Sequence, residues 1–384
     1  MWAKKISYLV LIIIFSGISC TYNHLPENSD KLILIQYSAP ANQTNEEFIT
    51  GITWLFSYLG AKLPSDKFEA AVKYTGSQKI EIDIDLLGFT EEAVQQLTKV
   101  IRLIKNSEEY QIKGGIDAGR FFAICFNSTH QYYNITGVPR TFSEFSKKYA
   151  AFSAKVFACD TSCIANGSRL ISYSINELDI FKNYFFSEEG SGFFTKGNFA
   201  KSGIIEAFDY MENGQPRFVI YDSNGNLYAP QNRSKHPAGK PAKCMWCHES
   251  GMQPTFYPTS DITGYETVEN FQLAAQNFNQ RLNAFHQQTK SALDFTKKQA
   301  HSQGEFIYLS FYEPTAARLS EEWQMTEVAV KERLQSIPTF NNPEFPFLKN
   351  VYHRADIEAY APYKSILPTD EMREASAFEP DYLN

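Results

Sequence analysis

The feature that most constrains this chain is a pentapeptide, Cys244-Met245-Trp246-Cys247-His248. Two thiols three residues apart share one short arc, and an imidazole follows the second at once. All three can meet a single rigid disc, the thiols by covalent bonds along its edge and the imidazole from one face. Lys243 before the motif and Glu249-Ser250-Gly251 after it are polar, so the segment is expected as a loop or the first turn of a short helix. His236-Pro237-Ala238-Gly239-Lys240-Pro241 forms a stiff, extended approach to Cys244, because each proline fixes its own φ.

The C-x-x-C-H order suits attachment of haem c, with Cys244 and Cys247 holding the macrocycle and His248 reaching the iron. On these five residues and their flanks the chain resembles the c-type cytochromes. The resemblance implies covalent haem and electron transfer, and it does not specify a cytochrome class. Two other readings stay open, half of a zinc site and a redox dithiol. For the far side of the iron, His236 ranks first. Its eight-residue separation from Cys244 extends on the order of 26 Å at ~3.3 Å per residue. His353 ranks second and Met252 third, because residues four apart on a helix share a face and Met252 follows His248 by four. Met325 and an open distal site are further options.

The N-terminus is read as a secretory signal over residues 1–19. Lys4 and Lys5 precede an apolar run from Ile6 to Phe15, and small residues follow. The run is too short for a membrane span of ~20 residues. Cys20 after Ser16-Gly17-Ile18-Ser19 resembles the lipobox of bacterial lipoproteins, although Gly17 stands where leucine is usual. The resemblance implies an exported chain, lipid-anchored through Cys20 on the periplasmic or outer surface of a bacterial membrane, with residues 20–31 as a polar tether. Export strengthens the haem reading, since c-type haem is attached outside the bacterial cytoplasm.

The formal net charge is −7, and it falls by two more once Lys4 and Lys5 leave with the signal. An acidic chain of this kind is a poor candidate for nucleic acid. Of the six cysteines, Cys125, Cys159 and Cys163 have no role in the motif or the anchor. In an oxidising compartment two of them are expected to pair. A four-cysteine zinc site drawing on Cys159, Cys163, Cys244 and Cys247 is the competing arrangement, and it leaves His248 unexplained.

The fold class expected is α+β, with an antiparallel sheet and helices before the motif and a mostly helical C-terminal part. Helices are expected from Glu46 to Leu63, over Asp66–Lys73, from the Thr90 cap to Lys105, and from the Thr141/Glu144 capping box toward Ala154. A half-buried strand is expected over Lys79–Leu86, whose alternate carboxylates read as its solvated face. Arg120–Phe126 and Ser168–Ile175 read as further strands. Hairpins follow from Gly203 to Tyr228, with turns at Asn213-Gly214 and Asn224-Gly225. A long helix is expected from Glu266 to about Ala300, and a helical hairpin over Leu319–Leu334. The Gly/Ser cluster near Ser187–Lys196 suggests a boundary between an N-terminal α+β domain (32–187) and a haem-binding domain (196–384). No internal repeat, P-loop, dinucleotide fingerprint or nucleophile elbow is found.

Three functions compete on this reading. They are a monohaem electron carrier with a protein redox partner, a haem enzyme with an open distal site of the peroxidase or P460-like kind, and a non-haem lipoprotein whose cysteines bind zinc or are structural.

Overall fold

The computed structural model describes residues 31–37, 43–76, 78–127, 129–149, 153–161, 168–176, 179–228, 244–245, 248–253, 259–341 and 346–367. Cys20, Cys163, His236, Trp246 and Cys247 lie outside these residues. The fold is α+β, with a four-stranded and a five-stranded sheet joined by helices, and a C-terminal part that is helical apart from a two-stranded ribbon pairing Phe340–Asn341 with Asn350–Val351.

The first sheet has the order β2-β3-β1-β4, from β1 (Lys31–Ile35), β2 (Val72–Tyr74), β3 (Lys79–Asp83) and β4 (Ile116–Asp117). Alternation in β3 does what its sequence predicts. Ile80 and Ile82 are fully buried, while Glu81 faces outward and pairs with Lys31 at 2.8 Å. The strand is shorter than expected, because residues 84–86 tighten into a 3-10 turn. Helix α1 (Asn45–Tyr58) starts at a reciprocal capping box: Glu47 N–H donates to Thr44 Oγ1 at 3.2 Å and Thr44 N–H to Glu47 Oε2 at 2.8 Å. A short α2 (Phe68–Ala71) leads directly into β2. Helix α3 (Glu91–Lys105) has Thr90 as its cap, and α4 (Glu108–Lys113) ends on left-handed Gly114.

The stretch Arg120–Phe126 is a helix, not the strand its sequence suggests. It belongs to α5 (Ala118–Asn127), started by Asp117 Oδ1 accepting from Gly119 N–H at 2.8 Å. Residues Phe121 to Phe126 are all 0% exposed. A helix buried all round has no polar face, so its 3.6-residue period leaves no trace in the sequence.

After α6 (Thr129–Thr136) and α7 (Phe142–Tyr149) comes a five-stranded antiparallel meander. Its strands are β5 (Lys155–Cys159), β6 (Ser168–Ser174), β7 (Tyr184–Ser191), β8 (Ala200–Tyr210) and β9 (Pro216–Tyr221), in sequence order. The Gly/Ser cluster read as a domain boundary lies inside the β7–β8 hairpin. The strands pair across it from Phe185↔Phe208 to Ser191↔Ala200, so the sheet does not part there. Gly190 is glycine for a local reason, since a Cβ would run into the Phe199 ring.

Register places one aromatic row across four strands: Tyr173↔Phe185, Phe185↔Phe208 and Phe208↔Phe218. Each buried ring of this kind contributes about 1.5–3 kcal/mol. The β8–β9 turn sets the row. It closes over Glu212-Asn213-Gly214, with Met211 N–H donating to Gln215 O at 2.9 Å and Gly214 at φ 81°. A two-residue Asn-Gly turn would shift the register by one and send Phe208 and Phe218 to opposite faces. Asn213 Nδ2 also donates to the carbonyls of Ser57 and Ala61, at 2.7 and 2.9 Å, locking this turn onto the end of α1.

Helix α8 (Val268–Gln288) lies over the row, with Phe271 stacked on Phe157 at 4.6 Å and Phe278 against Tyr210 at 4.8 Å. It stops well before Ala300, because the backbone at Lys290–Ala292 bonds instead to the Leu63–Ser65 loop. Its buried seam is Phe271, Ala275, Phe278, Leu282 and His286. The opposite sheet face packs α7 through Phe142, Phe145 and Tyr149. On β9, the N–H groups of Phe218 and Ile220 donate to the hydroxyls of Tyr132 and Tyr133 on α6, at 3.2 and 3.1 Å.

The C-terminal part comprises α9 (Ser302–Tyr312), the hairpin α10 (Ala316–Glu322) and α11 (Glu327–Arg333), and α12 (Arg354–Ile357). A buried ionic network fastens it to the first sheet. Arg318 pairs with Asp117 and Glu322, and Arg354 pairs with Glu322 at 2.8 Å. Arg120 pairs with Glu109 at 2.9 Å and Glu358 at 2.7 Å.

Candidate functional site

Cys244, Met245 and His248 are helical, and Glu249 N–H donates to Met245 O at 2.8 Å, as in one helical turn. The turn ends sharply. Glu249 takes a left-handed φ of 51°, which costs a side-chain-bearing residue about 1–2 kcal/mol. Gly251 N–H then returns to His248 O at 3.0 Å. Helix α8 holds the chain that follows. Asn279 Oδ1 accepts from Met252 N–H at 2.8 Å, and Asn279 Nδ2 donates to Met252 O at 2.7 Å. A Cβ on Gly251 would meet Asn279 Oδ1 at 2.9 Å, so glycine permits the close approach.

The His248 ring rests on the end of the aromatic row, 5.1 Å from Phe208 and 5.4 Å from Phe218. Burial lowers its pKa to about 4, opposed in part by the Gly251 backbone. The imidazole is therefore neutral at pH 7. Its Nδ1 is buried and has no hydrogen-bond partner among the described residues.

Cys244 is half-buried. It lies near Tyr132, whose phenol is pushed up by burial and further by a charge on Cys244. On the other side, Tyr58 of α1 is buried against the turn. Burial raises its phenol, Glu249 adds to the effect and the Ser250 hydroxyl opposes it. Residues 244–245 and 248–252 are thus wedged between α1, α6, α8 and strands β8 and β9.

Of the sequence-predicted site residues, the structure describes Cys244, His248 and Met252 in this wedge. Cys247, His236 and the anchoring Cys20 lie outside the described residues. Met252 is buried in the core. His353 is exposed and stacks on Phe340 at 3.9 Å, and Met325 packs with the C-terminal cluster around Trp323. Cys125 and Cys159 are both buried free thiols, not bonded to each other as a disulfide. Among the described residues no group of three or more His, Cys, Asp or Glu side chains is placed to hold a metal ion.

The residues present fit a haem c group. A neutral imidazole is the form that binds iron, and here its buried Nδ1 has no hydrogen-bond partner among the described residues. The thiol of Cys244 sits on the same helical turn as the imidazole. Phe208 and Phe218 floor the ring with apolar surface, and Asn279 pins the backbone beyond it. Sequence reasoning missed Asn279, Phe208, Phe218 and Tyr58. Only the two phenylalanines had a sequence signal, as apolar positions on the arms of an anticipated hairpin. Comparison with protein-family models, with curated proteins and with solved structures finds no match for this chain.

Proposed function

We propose that the chain is an exported, lipid-anchored monohaem c-type protein that passes electrons to a protein partner. Cys244 and Cys247 would form the thioether bonds, His248 would bind the iron, and Cys20 would carry the lipid. The observation that carries this reading is the environment of His248: a neutral imidazole set on Phe208 and Phe218, four residues after Cys244, with a buried Nδ1 that has no partner among the described residues. A buried polar atom left unpaired costs about 1–3 kcal/mol, and what sets His248 apart from His286, whose two ring nitrogens are also buried without partners among the described residues, is its place in the C-x-x-C-H motif.

Haem c, when bound, supplies a one-electron iron couple. The chain's own residues do the rest. His248 offers its lone pair without first losing a proton. Phe208 and Phe218 keep water from that side of the ring, and Asn279 fixes the direction in which the backbone leaves. A low-dielectric surround of this kind bears on the potential of any iron held there.

Haem staining after denaturing electrophoresis tests the reading, using protein from a host with cytochrome c maturation. The wild-type band stains and the Cys244→Ala, Cys247→Ala double variant does not. A wild-type band that never stains defeats covalent attachment.

A further inference from the structure

The chain reverses immediately after His248. Gly251 N–H donates to His248 O at 3.0 Å, which closes a four-residue turn. Of the two central residues, Glu249 alone has a positive φ, 51°. That position ordinarily takes glycine. A residue with a side chain stays in this conformation only where its surroundings hold it there, and such holds gather at functional sites.

Two holds are present, one on each side of the turn. Asn279 takes both backbone groups of Met252, at 2.8 and 2.7 Å. On the other side, the Ser250 hydroxyl bonds to the hydroxyl of Tyr58 on α1. Ser250 is 1% exposed and Tyr58 0%, so the pair is shielded from bulk water. The Ser250 hydroxyl has no other partner among the described residues. Tyr58 is fixed in its turn. Its neighbour Ser57 accepts from Asn213 Nδ2 through its carbonyl at 2.7 Å, and from Gln215 Nε2 through its hydroxyl at 2.8 Å. Asn213 and Gln215 belong to the connection between β8 and β9, the strands that carry Phe208 and Phe218 beneath the His248 ring. The aromatic floor and Tyr58 are therefore parts of one frame, and the imidazole is set on it.

We infer that Tyr58 is a positioning residue of this site: through Ser250 it holds the turn after His248 and so fixes the direction in which the imidazole meets the iron. The inference rests on the reading of His248 as an iron ligand. Phenylalanine would fill the same space without burying a hydroxyl, and a buried hydroxyl costs stability unless it is bonded. The bond to Ser250 is what the hydroxyl adds. Groups behind a ligating imidazole orient it and tune the metal it binds.

The test uses the full-length chain with Tyr58→Phe, Ser250→Ala, the two combined, and Trp54→Phe as control. Trp54 meets Tyr58 at 5.9 Å from one turn earlier on α1, so its replacement disturbs packing and spares the hydroxyl pair. In protein labelled at histidine Cε1 for nuclear magnetic resonance, the His248 ring signal shifts in Tyr58→Phe and in Ser250→Ala. The combined variant adds no further shift, because either change breaks the same bond, and Trp54→Phe leaves the signal in place. In haem-loaded protein the two single variants alter the electron paramagnetic resonance spectrum alike. A His248 signal that neither substitution moves overturns the inference. Shifts that add in the combined variant, or a shift in Trp54→Phe as large as that in Tyr58→Phe, also overturn it. A wild-type chain that never takes up haem defeats the haem reading alone, and the labelled-histidine measurement still decides whether Tyr58 holds the ring.

Discussion

Glu322→Gln removes the central carboxylate of the buried ionic network while keeping the shape of the side chain. Glu322 Oε1 and Oε2 accept from Arg354 Nη1 and Nη2, each at 2.8 Å, and Oε2 also accepts from Arg318. All three side chains are at most 3% exposed. Burial alone would raise this carboxyl, yet Arg354 and Arg318 hold it well below its ordinary value. The variant leaves two buried guanidinium groups sharing too little negative charge. Breaking such a pair costs ~3–5 kcal/mol. The lower end applies, because Arg318 keeps Asp117 and Arg354 keeps Glu358 at 3.6 Å. At about 2–4 °C per kcal/mol, Tm falls by roughly 6–12 °C. Urea unfolding followed by circular dichroism should show the same loss with an unchanged slope. The pH dependence has a definite sign. A carboxyl depressed in the folded state stabilises above its unfolded pKa, and that contribution is lost as pH falls through the folded one. The gap between wild type and variant therefore narrows in acid. A loss below about 1 kcal/mol at pH 7, or two stability curves that run parallel into acid, would refute the reasoning.

Two further predictions concern the support of the candidate site. His286 stacks on Phe295 at 3.7 Å, and burial lowers its pKa to about 4. Its neutral form stabilises the fold fully above the unfolded value near 6.5, and stability is lost as pH falls from there toward 4, on the order of 2 kcal/mol between pH 7.5 and pH 5. His286→Phe should flatten that part of the urea-midpoint profile, and an unchanged profile would sink the assignment. Asn279→Ala strips both backbone partners from Met252 and should cost roughly 2–3 kcal/mol. Its more specific signature is a shifted reduction potential or ligand-field spectrum in haem-loaded protein. A stability loss with an unaltered spectrum would reduce Asn279 to a packing role.

What was legible in the sequence was local. Thr90 and the Thr141/Glu144 box opened helices where their caps said they should, because a cap bonds within three residues of itself. The helical hairpin expected over Leu319–Leu334 forms as α10 and α11, and Thr326 caps the second of them. Helix α5 was not, since its helical period has no polar partner face. The hairpin was anticipated at Asn213-Gly214, but the choice between two and three loop residues rests on Asn213 bonding to α1, over 150 residues earlier. The ionic network joins Asp117 to Arg318 across 201 positions, and each member reads in sequence as an ordinary surface charge. Within the candidate site the cysteines and histidine announced themselves by spacing. Asn279 is tied to Met252 through the backbone at 27 residues' distance, so no side-chain pattern could point to it. The Gly/Ser cluster lies inside a hairpin, where glycine marks close approach as readily as it marks a linker.

The central claim is that residues 244–248 hold haem covalently. The most direct measurement is pyridine haemochrome analysis of full-length protein purified from a host with the cytochrome c maturation system, after extraction with acidified acetone. The account predicts one haem per chain that resists extraction and gives the haemochrome of a macrocycle whose vinyl groups have both been consumed. His248→Ala should change the absorption spectrum of the folded, haem-loaded protein. A purified, folded wild-type chain with no Soret band, or with haem that leaves entirely in the acetone, would contradict the account.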